Sequence, residues 1–173
     1  MIRVIDSSKI DFIDRTKNDL IVGTHNGIFH CDEVIATSIL AILNGLRGNT
    51  YIIRSRNLEL LSKNADILVD VGEGEYDHHQ KGGNGKRENN IAYASAGLIW
   101  KEFGSYLIYL LSDFKLTPAE AVELAKIIDT ELIQSIDIED NEGKATNHPF
   151  TLLNLSYHAG TKRIIMTQSL NNA

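Results

Sequence analysis

The chain has 173 residues, 43% of them apolar and 23% charged, with only 2 Pro and a formal charge of -6. That length suits one domain over 1–173 with a core of its own, and the balance is that of a folded rather than a disordered chain. It lacks the strongly basic profile of a protein that coats nucleic acid, although cations held among carboxylates would reverse the sign locally and let an acidic protein hold a phosphate at one point. No stretch approaches the roughly 18–20 apolar residues needed to span a bilayer, and the start MIRVIDSSKIDFID has no basic-then-apolar leader, so an intracellular, cytoplasmic location without a membrane partner is expected. The lone Cys31 can form no internal disulfide, which fits a reducing compartment.

In chain order, DLIVGTH at 19–25 reads as a short apolar strand stopped by glycine. A loop then carries HNGIFHCD, and from Asp32 the period changes. Val34, Ile35, Ile39 and Ile42 recur at helical spacing, with Asp32 placed to cap the helix and Asn44-Gly45 to stop it. YIIR at 51–54 is a second strand and NLELLSKN a short helix. ADILVDVG at 65–72 is a third strand, whose unbroken apolar run suits a sheet covered on both faces. This alternation predicts an α/β fold, a parallel sheet flanked by helices with right-handed crossovers. From Gly72 to Asn90 the chain turns polar and glycine-rich, a long mobile loop. Helical patterning resumes from about Tyr93 to Leu111, and again from Pro118, seated after Thr117 where a first-turn proline belongs, on through AEAVELAKIIDTELIQSID. The tail 142–173 has room for one or two strands but no firm period.

Four of the 6 histidines fall in two short clusters, His25 with His30 and His78 with His79, each beside aspartates in a loop after a predicted strand. Ligands of parallel α/β sheets bind beyond the carboxyl ends of the strands, where His25, Asp70 and the flanking loops would meet. Mixed imidazole and carboxylate donors suit manganese first, with Mg2+, Fe2+ or Zn2+ as alternatives, and the lack of a cysteine cluster argues against a structural zinc site. Two ions roughly 3.5–4 Å apart would supply both a hydroxide at neutral pH and stabilisation of the attacking and leaving oxygens of a phosphoester. Asp70, at the end of ILVDVG, is the natural bridging carboxylate, and nearby cationic groups would take up developing charge.

The succession THNGIFHCDEVIA, ADILVDVG, YDHHQKG and IAYASAGLIW, over roughly residues 20–142, resembles the Myg family (melanocyte-proliferating-gene proteins), a branch of the Asp-His-His phosphoesterase superfamily. The resemblance covers about the first half of the usual family length. It implies an N-terminal phosphoesterase domain without the usual C-terminal domain, and a manganese-preferring enzyme acting on phosphodiesters, with RNA and a 3'–5' exonuclease action the expected case. By the same resemblance His25 and His30 are ligands of one metal, Asp32 and His78 of the other, and Asp70 bridges. Asp77 supports the histidine pair from behind, and His79 faces the phosphate. The segment SIDIEDNEG offers Asp137 and Asp140 as a last carboxylate, of which Asp140 is preferred. The superfamily commonly has aspartate where His30 stands.

Lys81 and Arg87 in the glycine-rich loop are second-rank candidates for the substrate phosphate, against an ordinary solvated-loop role. Cys31 reads as a small filler, Glu73 and Glu75 as surface residues, and His148 and His158 as histidines outside any cluster. Trp100, Tyr93 and Phe103 read as core, and the small residues at 94–97 as a packing device. Two other functions compete: a catalytically weak module that binds metal and nucleotide and is completed by a partner or further domain, and a metal hydrolase of non-phosphate bonds such as amides. Homo-oligomerisation is left open.

Overall fold

The computed structural model describes residues 1–143, 153–158 and 163–168. Four parallel strands, β1 (Ile2–Asp6), β2 (Leu20–Thr24), β3 (Thr50–Arg54) and β4 (Ile67–Leu68), form one sheet in the order β1-β3-β2-β4. Helix α1 (Cys31–Asn44) joins β2 to β3, and α2 (Leu58–Asn64) joins β3 to β4. Then come α3 (Ser95–Leu111), α4 (Pro118–Ile128), a π-helical turn (Asp129–Ile133) and α5 (Gln134–Glu142). Strands β5 (Leu153–His158) and β6 (Arg163–Gln168) pair antiparallel as a separate ribbon.

Strand alternation builds the layers. Successive residues of a strand point to opposite faces, so Val22 enters a core with Ala36, Ile39, Leu40, Val69 and Ile99, while Ile21 joins Tyr51, Ile53 and Leu61 on the other side. The first core lies under α1, α3, α4 and α5, the second under α2. Helices on both faces explain why the central strands read as unbroken apolar runs. Arg54 is in register with Thr24, and Leu68 with Gly23, so the chain segments leaving β2, β3 and β4 emerge at one edge.

Four expectations are corrected in detail, and one strand is added. The edge strand β1, mostly exposed, was not apparent from its pattern. The strand expected over 65–72 forms a ladder with β2 only at Ile67–Leu68, followed by an isolated bridge from Val69 to Tyr76, because Asp70 takes a left-handed φ of 59° and its N–H donates to the Tyr76 carbonyl. Aspartate tolerates that conformation better than most side chains. The N-cap of α1 is His30, not Asp32, which lies inside the first turn. The helix expected from Pro118 onward is interrupted by the π turn before α5 begins. Finally, the loop at 72–90 is tied to itself: the Asn84 side-chain amide donates to the carbonyls of Gly74, Glu75 and Asp77, and Lys86 bridges Ala92.

Candidate metal centre

Outside the loop at 72–90, each donor owes its place to a strand end or a helix terminus. His25 follows β2 directly, Asp32 and Glu33 occupy the first turn of α1, and Asp70 sits just past β4. His78 comes from the loop, and Asp140 from the last turn of α5. Asp70 lies at the centre. Its Oδ2 is 3.2 Å from His25 Nε2, and its Oδ1 is 3.2 Å from His78 Nε2. His25 Nε2 is also 3.0 Å from Glu33 Oε1, and His78 Nε2 is 2.9 Å from Asp140 Oδ2 and 3.9 Å from Asp32 Oδ2. The donor atoms fall into two groups of four that share Asp70, namely His25, His30, Glu33 and Asp70, and Asp32, Asp70, His78 and Asp140, while a smaller third group joins Asp70 and His78 to His79.

These approaches are short, yet they are not aligned as hydrogen bonds. His25 Nε2, His78 Nε2, Glu33 Oε1, Asp70 Oδ2 and both oxygens of Asp32 are buried without a hydrogen-bond partner among the described residues. Such orphaned buried groups are costly, and they are rare in folded proteins unless an ion or water satisfies them. The second ring nitrogens agree. His25 Nδ1 lies 2.9 Å from the Asn26 carbonyl, which can only accept, so the proton is assigned to Nδ1 and Nε2 faces the carboxylates. His78 Nδ1 lies 3.1 Å from Asn141 Oδ1, an orientation set by the Asn141 amide donating to the Asp137 carbonyl. Histidine ligands of metals are commonly oriented by an acceptor in this way. The donor set therefore fits divalent cations.

Charge is displaced in the same sense. Contacts with Asp70 and Glu33 push His25 up to about 10. Burial works against His78, but its contacts with Asp140 and Asp70 still push it up to about 11. Burial also opposes ionisation of Asp70, and the two imidazoles overcome it and hold that carboxyl below the usual range. Asp32 is raised well above that range by burial and by the charges of Asp70 and Asp140. Without cations, protons hold this cluster together.

Around the donors lies a cleft of about 600 Å³ lined by His25, His30, Asp70, Asp77, His79 and Arg56, among others. His79 is 60% exposed there, its Nδ1 2.7 Å from Asp77 Oδ1, and Asp77 Oδ2 accepts the Glu73 N–H. His30 is half exposed and 3.6 Å from Asp140. Asp137, the other carboxylate weighed for the last position, is fully buried away from the donor groups. It accepts the Gly97 N–H at the start of α3 and pairs with Arg87 at 2.7 Å. Arg87 is not brought to the cluster. Its guanidinium is buried, bonds Asp129 through two nitrogens, and stacks on Tyr93. Lys81 is exposed and lines neither this cleft nor the one around Asp32 and Asp140. Cys31 is half-buried beside Asp32, its thiol pushed up to about 12 by burial. His148 lies outside the described residues.

Sequence reasoning missed four groups. Glu33 was hidden by its ordinary place in a first helical turn. Asn141 gave no signal as an orienting residue, and Arg56 stands on the cleft wall. Arg54, whose Nε donates to the His25 carbonyl and whose guanidinium lies 3.6 Å over the Phe29 ring, was likewise not apparent.

Fold and donors together define a parallel α/β protein with a cluster of histidines and carboxylates capable of holding metal at its strand ends. The family model MYG1_exonuc, described as "Uncharacterised protein family (UPF0160)", matches residues 21–172, and the chain belongs to this family. It is 34% identical over 134 residues to the MYG1 protein of Schizosaccharomyces pombe, covering 72% of this chain and 40% of that one. Against the human MYG1 exonuclease it is 34% identical over 134 residues, 69% of this chain and 35% of the relative. The MYG1 protein of Dictyostelium discoideum is 34% identical over 132 residues, 72% and 39%. The chain thus spans about two fifths of the length of these relatives. No solved structure matches it. Among the described residues, no helix is long and apolar enough to cross a membrane.

Proposed function

We propose that this chain carries a two-cation phosphodiesterase centre that hydrolyses RNA or short oligonucleotides from the 3' end, manganese being the preferred ion and Mg2+, Fe2+ or Zn2+ its alternatives. One observation carries the reading: the two oxygens of Asp70 are divided between His25 on one side and His78 on the other, so that two donor groups meet on a single carboxylate. The exonuclease names of the mammalian relatives support a nucleic acid cleaved from an end as the substrate class.

On this reading His25, His30 and Asp70 hold one ion, and Asp32, Asp70, His78 and Asp140 the other. Bound ions would supply a hydroxide at neutral pH and neutralise the phosphate. The remaining work falls to the chain. Asn141 and the Asn26 carbonyl fix the two imidazoles so that each offers Nε2 to the centre. Asp77 accepts from His79 Nδ1–H and orients the ring in the cleft, where its imidazolium form would present Nε2–H to a phosphate oxygen and stabilise the charge that builds there in the transition state. Arg56, on the cleft wall, gives a planar pair of donors for the same or the neighbouring phosphate. The burial of Asp32, Asp70 and His78 limits water at the donors and strengthens each interaction.

The test is release of nucleotides from a 5'-labelled single-stranded RNA, and hydrolysis of a chromogenic phosphodiester, with and without Mn2+, comparing the chain with Asp70→Asn. Manganese-dependent shortening from the 3' end, abolished by the variant, is the expected result. Tight Mn2+ binding with no turnover of either substrate would instead favour a metal- and nucleotide-binding module whose catalysis needs the remaining three fifths of its relatives' length. Cleavage that survives the variant would overturn the reading.

A further inference from the structure

The two donor groups are unequal in charge. Around His78 stand Asp32, Asp140 and the shared Asp70, whereas the His25 group without Glu33 has two imidazoles and only its share of Asp70. A divalent ion among neutral imidazoles is poorly compensated, and imidazole-rich sites lean towards zinc, copper or iron rather than manganese or magnesium.

Glu33 stands where a carboxylate is lacking. It is the third residue of α1 and is fully buried. Its Oε2 accepts the His30 N–H at 2.6 Å, closing the helix N-terminus. That reciprocal cap needs one oxygen and works equally well at a solvated surface. It does not account for Oε1, which is buried, 3.0 Å from His25 Nε2, and without a hydrogen-bond partner among the described residues. Arg54 Nη2 is the nearest guanidinium nitrogen at 3.9 Å, beyond hydrogen-bond reach. With the His25 proton on Nδ1, donated in a hydrogen bond to the Asn26 carbonyl, both Oε1 and the Nε2 lone pair that meets it are acceptors. Two facing acceptors in a dry site need a cation between them or a proton in its place.

We infer that Glu33 Oε1 is a ligand of the cation held by His25, so that one side chain caps α1 with one oxygen and completes a metal site with the other. The inference rests on the two-cation reading above. It makes the position a determinant of metal choice: the added carboxylate moves a histidine-rich site towards the oxygen-preferring ions. It also couples the site to the folded start of α1, since the peptide N–H that Glu33 holds belongs to His30, another donor of the same group.

Glu33→Gln separates the roles, because glutamine serves at the same capping position and keeps the shape while removing the charge. Mn2+ binding to the metal-free chain would be followed by titration calorimetry and by the loss of the free-ion electron paramagnetic resonance signal, with circular dichroism and thermal melting reporting the fold. The wild type should bind two ions. Glu33→Gln should bind one as before and the second at least about 100-fold more weakly, at or beyond the upper end of what a supporting residue alone is worth. Its metal-free fold should be retained in circular dichroism, with any fall in melting temperature confined to the lost contact with charged His25, and Zn2+ should gain on Mn2+ at the weakened site. Two wild-type Mn2+ sites in folded Glu33→Gln would sink the inference and leave the two-cation reading intact. Asp70→Asn tests that reading separately: it should weaken both sites, and wild-type binding of two ions by this variant would overturn the reading itself.

Discussion

Substituting Gly97 by alanine tests how the centre is held from behind. A β-carbon at Gly97 would overlap Asp137 Oδ2 and fall 2.8 Å from its Cγ and 2.9 Å from Arg87 Nη2. None of these atoms is the far end of a free side chain: Asp137 is fully buried, hydrogen-bonded to the Gly97 N–H at 3.0 Å and ion-paired with Arg87 at 2.7 Å. Overpacking of this kind costs about 1–3 kcal/mol. Losing a buried hydrogen bond to a charged group adds about 1.5–3 kcal/mol. Alanine returns at most about 1 kcal/mol of helix propensity. A net loss of about 2–4 kcal/mol should follow, a large part of the roughly 5–15 kcal/mol that domains possess. At an m-value of roughly 2 kcal/mol/M the urea midpoint should drop by about 1–2 M. Because Asp140 and Asn141 follow Asp137 on α5, Gly97→Ala should also weaken Mn2+ binding. Gly104→Ala, which crowds the Trp100 ring within α3 at 2.7 Å, should lower stability while leaving the metal sites alone. An unchanged midpoint for Gly97→Ala would refute the reasoning.

Three further outcomes follow from the same geometry. Since His25 and His78 are pushed up to about 10 and about 11, Mn2+ must displace their protons at pH 8. Calorimetry in buffers of differing ionisation enthalpy should find release of at least one proton per chain, approaching two at saturation, and no release would contradict the assigned ligands. Stability of the metal-free chain should fall as pH rises. Burial raises Asp32 and pushes Asp137 up to about 7, so the folded state holds protons that the unfolded chain releases near pH 3.8, and the cost builds from there upward. The stabilising charge on His25 and His78 is complete below pH 6.5 and lost as pH climbs through about 10 and about 11. Thermal melts from pH 5 to pH 10 should show this decline, saturating Mn2+ should flatten its alkaline part, and a metal-free melting temperature that rises over this range would be the opposite of what is expected. Finally, Arg54→Ala removes the donor to the His25 carbonyl and the cation over Phe29, a loss of about 1–3 kcal/mol. Arg54→Lys should not restore it, because an ammonium lacks the planar face; full recovery in a melt would argue against the stacking.

How much of this was legible beforehand depended on range. Periodicity located β2, β3, α1, α3 and the start of α4, where Thr117 and Glu120 cap each other around Pro118. Local clustering drew attention to His25, Asp32 and His78, each close to another candidate donor in a loop or helix start, and the strand-end position singled out Asp70. What escaped was set by contacts distant in sequence. Asp137 and Asp140 are chemically alike and three residues apart, and only the packing of α5 sends one to Gly97 and Arg87 and the other to His78. Arg87 looked available in a polar loop because Asp129, its partner, lies 42 residues on. Glu33 was read as part of a helix start since its second oxygen matters only once β2 brings His25 over it. Asp70 kept its place at the strand end, but its left-handed backbone leaves no trace in composition.

The π turn at Asp129–Ile133 sets a rule about chain length. A wide turn absorbs one more residue than an α-helix would, and each residue turns a helix by about 100°. Asp137, Asp140 and Asn141 share one face of α5 and contact α3 and the loop as a unit. Deleting a single residue between Thr117 and Gln134, or inserting one, would leave a helix of good propensity and swing all three groups off their partners together. The segment can therefore change its amino acids far more freely than its number of residues, and single-residue length changes there should be scarce among functioning variants of this chain.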